Sequence, residues 1–332
     1  MKNDKIDVSQ LHPQGVLEQF KELCAKELNQ FLDTEKGEIK KEYQEIVNCP
    51  LCGSDNSQYL YTINCFRYVQ CLNCEMNFVN PRLDSAKVTD RHFSESYNFM
   101  FDNLLMKNFE YRVNSISQKK VNKVNELIPT KGKMLDIGCG AGDFMVAARK
   151  SGWDVVGVEM NEKAYNYGTR ELNLEIHKEL EKREFKECFD VITLWGVIEH
   201  LKYPVKTIKL CHEYLKNGGM LVIETHNPNS LTAQYQIENP DCVDRIMEGD
   251  KHILNFTIKT LRLLMEKTHF GISYWDSLGL DIVTILRYIK NATPGLINTA
   301  VYQHFDKYAN EHQSTIDSLG VGDHLRIFAH KI

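Results

Sequence analysis

A glycine-rich turn constrains this sequence more than any other feature. The apolar run of residues 133–137, KMLDI, leads directly into Gly138, Gly140 and Gly142 at alternate positions, and a helical pattern follows. Glycines at this spacing let the backbone turn tightly and approach a ligand without a clash from a Cβ atom. Asp136, near the strand end, suits a cationic or hydroxyl-bearing ligand better than a pyrophosphate. The pattern predicts a strand–turn–helix unit that binds a small ligand.

A second acidic residue supports the same site. Glu159 lies at the end of the next apolar run, DVVGVEM, about twenty residues after Asp136, where a carboxylate can accept hydrogen bonds from both hydroxyls of a ribose. A dinucleotide-binding dehydrogenase would need a third glycine at position 143. Asp143 stands there instead, and a carboxylate at the start of a helix would repel a pyrophosphate. The dehydrogenase interpretation is therefore rejected.

Strands and helices alternate from about residue 130 to the end of the chain. Seven apolar runs predict strands, beginning with KMLDIG and DVVGVEM and ending with LRIFAHKI. Helical stretches are expected near 142–150, 162–173, 204–217 and 257–268. Alternation of this kind is typical of a parallel sheet covered by helices, so we predict an α/β fold.

Four cysteines lie in two Cys-x-x-Cys pairs ahead of this region. Cys49 and Cys52 form the first pair, Cys71 and Cys74 form the second, and 18 residues separate the pairs. Each pair can bring two thiolates to one metal, and two pairs complete a tetrahedral zinc site. A redox pair would need a βαβ unit beside it, and no such pattern surrounds these cysteines. We predict one structural zinc with no open position for catalysis.

Residues 133–278 resemble the class I S-adenosylmethionine-dependent methyltransferases. The segments DIGCGAGDF, VVGVEMN and FDVITLWGVIEHL match the first, second and fourth-strand motifs of that family. The resemblance implies a Rossmann-like methyltransferase sheet that is mostly parallel and has an antiparallel last strand. It also implies an enzyme that uses S-adenosylmethionine as its methyl donor.

The same resemblance assigns the cofactor residues. Asp136 and the backbone of the glycine turn would hold the methionine part of the cofactor, and Glu159 would bind the ribose. Met160 would lie beside the adenine, and Trp195 and Gly196 would line the same pocket. Apart from the resemblance, Tyr97 in SESYNF, ahead of the core, is a candidate to cover the bound cofactor. The full predicted cofactor-binding set is Asp136, Gly138, Cys139, Gly140, Asp143, Phe144, Glu159, Met160, Trp195, Gly196 and Tyr97.

The cysteine segment extends the resemblance to zinc-ribbon methyltransferases of sugar and secondary-metabolite pathways, through YVQCLNCEMNFVNPR at 68–82. It implies a small polar acceptor, such as a nucleotide-linked sugar, a surface-glycan unit or a secondary-metabolite intermediate. One alternative is an RNA or protein methyltransferase that docks through the ribbon; another is a cofactor-binding protein without catalysis. The net charge of −5 and the lack of a basic and aromatic stripe argue against a nucleic-acid partner. The intact glycine turn and Glu159 argue against a protein without catalysis.

Three histidines are candidates for the base that a hydroxyl or an acidic carbon acceptor needs. His200 follows Glu199 at the fourth strand, His226 ends the fifth strand, and His252 precedes an amphipathic helix. Related sugar C-methyltransferases place an active-site histidine where His252 stands, but a tyrosine and a glutamate precede it there. Residues 249–251 are GDK here, so the methylated atom, O, N or C, stays open. We predict His252 as the first candidate.

The chain divides into four predicted regions. These are an N-terminal helical segment at 1–45, a zinc ribbon at 46–82, a helical connector at 83–128 and the methyltransferase domain at 129–332. Residues 280–320 form an insertion that fits either an acceptor lid or a homodimer interface, because it is too long for a connector and too apolar for disorder. No apolar run reaches the roughly 20 residues of a membrane helix, and the N-terminus lacks the apolar core of a signal peptide, so we expect a cytoplasmic protein without a membrane partner.

Overall fold

The computed structural model describes residues 15–87, 94–181, 185–240 and 246–332. The first 14 residues of the predicted N-terminal segment and residues 88–93 of the predicted connector lie outside the described residues. The α-helices of the described ranges are α1 (Val16–Asn29), α2 (Glu95–Met100), α3 (Phe109–Tyr111), α4 (Gln118–Leu127), α5 (Asp143–Lys150), α6 (Glu162–Arg170), α7 (Pro204–Tyr214), α8 (Leu231–Glu238), α9 (Ile258–Lys267), α10 (Asp281–Ala292), α11 (Ala300–Lys307) and α12 (Ala309–Ser318). None of these helices has the length and apolar character needed to cross a membrane.

The strands of the described residues form two larger sheets and two short antiparallel pairs. The strands of the described ranges are β1 (Leu32–Asp33), β2 (Glu38–Ile39), β3 (Gln44–Glu45), β4 (Ser57–Ile63), β5 (Phe66–Cys71), β6 (Asn77–Val79), β7 (Arg82–Leu83), β8 (Lys133–Ile137), β9 (Asp154–Val158), β10 (Glu175–His177), β11 (Phe189–Trp195), β12 (Leu215–His226), β13 (Leu254–Asn255), β14 (Phe270–Leu278) and β15 (His324–Lys331).

A seven-stranded sheet forms the core of the larger, C-terminal part of the chain, in the order β10-β9-β8-β11-β12-β15-β14. The first five of these strands run parallel to one another. β15 runs antiparallel to both β12 and β14. This arrangement confirms the predicted α/β class, the mostly parallel sheet and the antiparallel last strand.

The sequence of the central strands explains why they lie in the middle of the sheet. β8 is buried from its second residue onward, and β11 is buried from Val191 to Leu194. Helices cover both faces of a parallel sheet, so its central strands are mostly apolar. The chain runs outward from β8 to β10 and then returns to β11, which lies beside β8. This change of direction opens a crevice at the carboxyl ends of β8 and β11, where open α/β sheets bind their ligands.

A smaller four-stranded sheet, in the order β13-β6-β5-β4, joins two distant parts of the chain. β4, β5 and β6 come from the region of the paired cysteines, whereas β13 begins two residues after His252. Leu254 pairs with Phe78, and the Val79 N–H donates to the Ile253 carbonyl at 3.0 Å. The cysteine region and the loop that carries His252 therefore share one sheet.

The insertion at 280–320 is helical, and hydrogen bonds of Asp281 hold it near its start. Asp281 is buried, and its carboxylate accepts hydrogen bonds from the Thr232 N–H at 3.0 Å and the Asp323 N–H at 2.9 Å. The Gln313 side chain donates to the same carboxylate at 3.1 Å. These bonds connect the insertion to α8 and to the residue that precedes β15.

Candidate active site

The predicted glycine turn lies between β8 and α5. The backbone N–H groups of Gly138 and Cys139 donate to the carbonyl of Val158 in β9, at 2.8 and 3.1 Å. Gly142 precedes α5 with a φ of 85°, a left-handed conformation that favours glycine. A Cβ atom on Gly138 would lie 2.6 Å from the side chain of Val197. The turn therefore needs glycine at these positions, and its backbone lies against the carboxyl end of the sheet.

Glu159 lies beside the glycine turn at the tip of β9. Its Oε2 accepts a hydrogen bond from the Gly140 N–H at 2.8 Å, and its Oε1 accepts one from the Asn161 N–H at 2.7 Å. The side chain is buried. Backbone donors thus hold the carboxylate where a ribose-binding acidic residue is expected in an open α/β sheet.

Asp136 places a buried carboxyl group beneath the turn. The residue is 2% exposed, and the Thr193 hydroxyl donates to its Oδ1 at 2.7 Å. Burial raises the pKa of Asp136 to about 7; the charges of Asp143 and Glu159 add to the rise, and Lys120 opposes it. A nearby cation stabilises the charged form of such a carboxyl group. The site therefore fits the ammonium group of an amino-acid ligand.

Aromatic side chains line the crevice beside β11. Trp195 ends this strand and packs against Phe144, with 5.0 Å between the ring centroids. Lys120 Nζ lies 4.6 Å from the centroid of the Trp195 ring. Gly196 follows with a φ of 66°, and its N–H donates to the Glu224 carbonyl at 2.9 Å. The structure brings these predicted cofactor residues together at the change of strand direction.

Tyr97 and Met160 lie at the outer side of the same crevice. Tyr97 packs against a cluster that includes Ala141 of the glycine turn and Ala164 of α6. Burial raises the pKa of Tyr97 well above its ordinary value, and the charge of Glu159 adds to this rise. Met160 is 54% exposed. Tyr97 therefore packs beside the glycine turn, and Met160, which follows Glu159, is open to solvent.

The carboxylate of Asp143 contacts two side chains of the predicted connector. Ser117 Oγ donates a hydrogen bond to Oδ2, and Arg112 Nε lies 3.7 Å from Oδ1. Ser117 and Arg112 belong to a π-helical turn just before α4. The contacts of Asp143 tie the connector to the start of α5.

The three predicted histidines and a fourth, His324, form one cluster at the carboxyl ends of β11 and β12. The ring centroids lie 4.3 Å apart for His226 and His252, 5.0 Å for His200 and His252, and 4.8 Å for His226 and His324. His226 and His324 are paired across β12 and β15. Sequence reasoning missed His324 because only the antiparallel register of the last strand places it opposite His226.

Backbone carbonyls fix the orientation of two of these rings. His200 Nδ1 lies 3.0 Å from the Lys251 carbonyl, and His252 Nδ1 lies 2.8 Å from the Ile246 carbonyl. Because a carbonyl only accepts, Nδ1 carries the proton in both rings, and the lone pair of the neutral ring is on Nε2. His252 is buried, and burial lowers its pKa to about 4. His252 is therefore neutral and weakly basic at neutral pH.

Glu199 is a buried site residue that sequence reasoning named only as the neighbour of His200. Its Oε2 accepts a hydrogen bond from the Thr225 hydroxyl at 2.9 Å, and its Oε1 lies 3.5 Å from His226 Nδ1. Burial raises the pKa of Glu199 to about 7, so an ionised Glu199 gains from a cation beside it. The Glu-His pair after the fourth strand was the available signal. Its contact with His226 follows from the adjacency of β11 and β12.

The four predicted cysteines converge in the N-terminal sheet. Their Sγ atoms all lie within 4.8 Å of one another, with 3.5 Å between Cys49 and Cys74 and between Cys52 and Cys71. Sulfurs around a tetrahedral metal, at a metal–sulfur distance of about 2.3 Å, lie about 3.8 Å apart. The cluster therefore has the size of a tetrahedral four-thiolate site.

Comparisons with known proteins find similarity to methyltransferases. The model of a methyltransferase domain matches residues 109–273. A ubiquinone biosynthesis O-methyltransferase of Stutzerimonas stutzeri is 27% identical over 188 residues, which cover 54% of this chain and 81% of that protein. A protein of the same name from Pseudomonas aeruginosa is 25% identical over 198 residues, which cover 57% and 85%.

Similar chains among the solved structures include two methyltransferases. A S-adenosylmethionine-dependent methyltransferase of Thermotoga maritima, described as a possible histamine N-methyltransferase, has a TM-score of 0.46 and 17% identity, and the match covers 70% of this chain and 99% of that one. Geranyl diphosphate C-methyltransferase from Streptomyces coelicolor has a TM-score of 0.41 and 17% identity, with coverages of 76% and 90%.

The family match covers the glycine turn, Glu159 and the three predicted histidines. The sheet order and the contact between Glu159 and the turn agree with it. The protein is a class I S-adenosylmethionine-dependent methyltransferase.

Proposed function

We propose that the protein transfers the methyl group of S-adenosylmethionine to a hydroxyl oxygen of a small, polar, sugar-linked acceptor. The pair formed by His226 and Glu199 carries this proposal, with 3.5 Å between Nδ1 and Oε1. A hydroxyl acceptor needs a base within reach, whereas a neutral amine does not. The names of the curated relatives, O-methyltransferases of ubiquinone biosynthesis, support oxygen as the methylated atom.

In this proposal the cofactor lies across the crevice between β8 and β11. Asp136 binds the ammonium group of the methionine part, because its buried carboxyl group gains from a cation. Glu159 accepts hydrogen bonds from the ribose hydroxyls. Met160 lies beside the adenine, and Tyr97 covers the cofactor from the connector side.

The reaction is an in-line displacement at a sulfonium, so positioning supplies most of the rate acceleration. His226 Nε2 takes the proton of the acceptor hydroxyl as the oxygen attacks the methyl carbon. The oxygen–methyl bond forms, the sulfur–methyl bond breaks, and the sulfonium leaves as the neutral thioether of S-adenosylhomocysteine. Glu199 faces Nδ1 and stabilises the imidazolium that results. His252 is less suited to this role, because burial lowers its pKa to about 4.

We assign zinc to the four-cysteine cluster and keep the predicted ribbon at 46–82 as a structural part of the enzyme. Thiolate ligands alone, in a cluster of tetrahedral size, suit zinc. The ribbon sheet is completed by β13, which begins two residues after His252. This connection favours a ribbon that supports the acceptor side over one that docks an RNA or a protein.

The insertion at 280–320 forms one wall of the acceptor pocket in this proposal. The Asp281 carboxylate accepts a hydrogen bond from the Asp323 N–H. His324, which follows Asp323, contacts the ring of His226. A second copy of the chain is the alternative partner of this insertion, because Val301 and Phe305 of α11 are 69% and 40% exposed.

The test is mass spectrometry of candidate acceptors incubated with the protein and S-adenosylmethionine. The panel contains nucleotide-linked sugars, the matched deoxysugars that lack one hydroxyl, a catechol, an RNA oligonucleotide and a peptide. We expect one methyl group on a sugar oxygen, lost in one deoxysugar of the panel. Methylation confined to an amine or a carbon would contradict the proposed chemistry, and methylation of only the catechol, the RNA or the peptide would contradict the proposed acceptor.

A further inference from the structure

A second group of metal-ligating side chains lies within the histidine cluster, apart from the four cysteines. One ligand atom from each of Glu199, His200 and His252 lies within 4.8 Å of the others. We propose that these three residues bind a divalent transition-metal ion at the acceptor side of the methyl-transfer site. The role of this ion in the reaction rests on the proposed function, but its binding does not.

The size of the group fits a single ion. Three atoms bound to one metal at about 2.1 Å, in a trigonal or tetrahedral site, lie about 3.4 to 3.6 Å apart. The ligand atoms of the three side chains lie up to 4.8 Å apart, so they need to approach one another by at most about 1.4 Å. Two imidazoles and one carboxylate suit first-row transition metals better than calcium or magnesium, which prefer oxygen ligands alone.

Glu199 provides an independent indication that a cation belongs here. The residue is 1% exposed, and Oε2 is held by the Thr225 hydroxyl. Oε1 is also buried, and within the described part of the chain it accepts no hydrogen bond, although His226 Nδ1 lies 3.5 Å away. A buried oxygen left in this state is costly, and a metal ion would satisfy it. Gly196 leaves room beside this atom, because a Cβ atom there would lie 3.7 Å from Oε1.

The two histidines are oriented as metal ligands usually are. A ligating histidine commonly donates its other ring N–H to a backbone carbonyl or a carboxylate, which fixes the tautomer. His200 and His252 both place Nδ1 against a backbone carbonyl, at 3.0 and 2.8 Å. Their Nε2 atoms are consequently the nitrogens that would hold the ion.

Glu248 adds a second carboxylate beside the proposed ion, and His226 lies next to the same position. Glu248 Oε2 lies 3.7 Å from His252 Nε2, close enough to supply a fourth ligand. Two carboxylates would then balance the charge of a divalent ion. On the other side, His226 contacts the His252 ring, with 4.3 Å between the centroids. A hydroxyl bound to the ion would be more acidic and would lie beside the proposed base.

Co²⁺ titration of the full-length protein, with zinc already bound to the cysteines, tests this site. Co²⁺ bound by nitrogen and oxygen gives weak visible absorption, whereas Co²⁺ in the cysteine cluster would give strong thiolate charge-transfer bands. We expect one Co²⁺ per chain without thiolate bands. His200→Gln and His252→Gln should each weaken this binding by at least about tenfold. His324→Gln, in the same histidine cluster but outside the ligand group, should leave it unchanged.

Binding of S-adenosylhomocysteine shows whether each variant is folded. No Co²⁺ binding by the zinc-loaded protein up to millimolar concentration would overturn the proposal. So would loss of binding in His324→Gln equal to that in folded His252→Gln. Methylation of a hydroxyl by protein that binds no Co²⁺ would refute the metal site and leave the proposed function intact. Co²⁺ binding without methylation of any hydroxyl would support the site and contradict the proposed function.

Discussion

Nδ1 of His226 lies 3.5 Å from Oε1 of Glu199, across the carboxyl ends of two neighbouring parallel strands. His226 is the last residue of β12, and Glu199 lies in the short helical turn after β11. Thr225, next to His226, holds the other oxygen of Glu199. Two adjacent residues of one strand thus contact a buried carboxyl group, Thr225 through a hydrogen bond to Oε2 and His226 through its position beside Oε1, and this geometry depends on β11 and β12 being paired.

Replacement of His226 should remove the base. We expect His226→Gln to lower kcat by at least about 100-fold, the lower end of the range for a general base, while binding of S-adenosylhomocysteine is retained. His330→Gln is the matched control, because His330 is exposed on β15 and should leave kcat unchanged. Steady-state kinetics with an acceptor from the sugar panel, together with calorimetry, measure both quantities. A His226→Gln enzyme with the kcat of the native protein would rule out this residue as the base.

Replacement of Glu159 should weaken binding of the cofactor. Glu159→Gln loses the charge of a carboxylate that lies beside the glycine turn, so we expect the affinity for S-adenosylhomocysteine to fall by at least about tenfold, or about 1.4 kcal/mol. Glu162→Gln changes a carboxylate whose side chain is 72% exposed on α6 and serves as the control. Isothermal calorimetry measures both affinities. Equal affinities in the two variants would remove Glu159 from the cofactor site.

Asp136 should make the cofactor-free protein less stable as the pH rises. Its pKa is about 7 in the folded protein, whereas the ordinary pKa of an aspartic acid in an unfolded chain is 3.8. Between these values the unfolded chain releases a proton that the folded protein keeps, so the free energy of unfolding falls as the pH rises and levels off above about pH 7. Asp136→Asn keeps an acceptor for Thr193 but cannot ionise, while Asp143, Glu159 and Lys120 remain.

We therefore expect the Tm of Asp136→Asn to exceed that of the native protein by more at pH 8 than at pH 5. Thermal unfolding without cofactor at both pH values provides the measurement. A Tm difference that does not change with pH would show that Asp136 ionises normally in the folded protein.

Loss of a zinc ligand should lower acceptor turnover more than cofactor affinity. We expect elemental analysis to find zinc in the native protein and in Cys188→Ser, and to find it reduced by about one ion per chain in Cys71→Ser. Cys71→Ser should also lower the Tm, because binding of a structural metal contributes directly to folding. Since β13 pairs with β6, the loop of His252 should lose its support, and acceptor turnover should fall more than cofactor affinity. Unchanged zinc content in Cys71→Ser would contradict this assignment.

Removal of the exposed part of the insertion separates a lid from an interface. α11 contributes no buried residue, whereas Asp281 and Gln313 on its two sides are buried. We expect replacement of residues 294–308 by a short Gly-Ser linker to raise the KM for the acceptor without changing the oligomeric state in solution. Light scattering and kinetics measure the two effects. A native dimer that becomes monomeric, with acceptor turnover intact, would show that the insertion is an interface.

Local sequence patterns were enough to predict the glycine turn and the strand tip that carries Glu159. Gly138 and Gly142 adopt the positive φ angles that a tight turn requires, and Glu159 reaches the turn from the next strand. These features lie within one βαβ unit, where short-range geometry and the handedness of the crossover leave few alternatives. The cysteine cluster could also be predicted from a local pattern, because two Cys-x-x-Cys pairs at this spacing suit a tetrahedral metal site.

The acceptor side depended on contacts between residues far apart in the chain. His226 meets Glu199 because β12 lies beside β11, and it meets His324 because β15 runs antiparallel to β12. His252 joins them because β13 completes the sheet of the cysteine region. No periodicity in the sequence records these pairings, since each depends on strand order and register across the whole sheet. The sequence by itself therefore determined the fold class, the glycine turn and the cysteine cluster, and only the tertiary structure decided which buried acid faces which histidine.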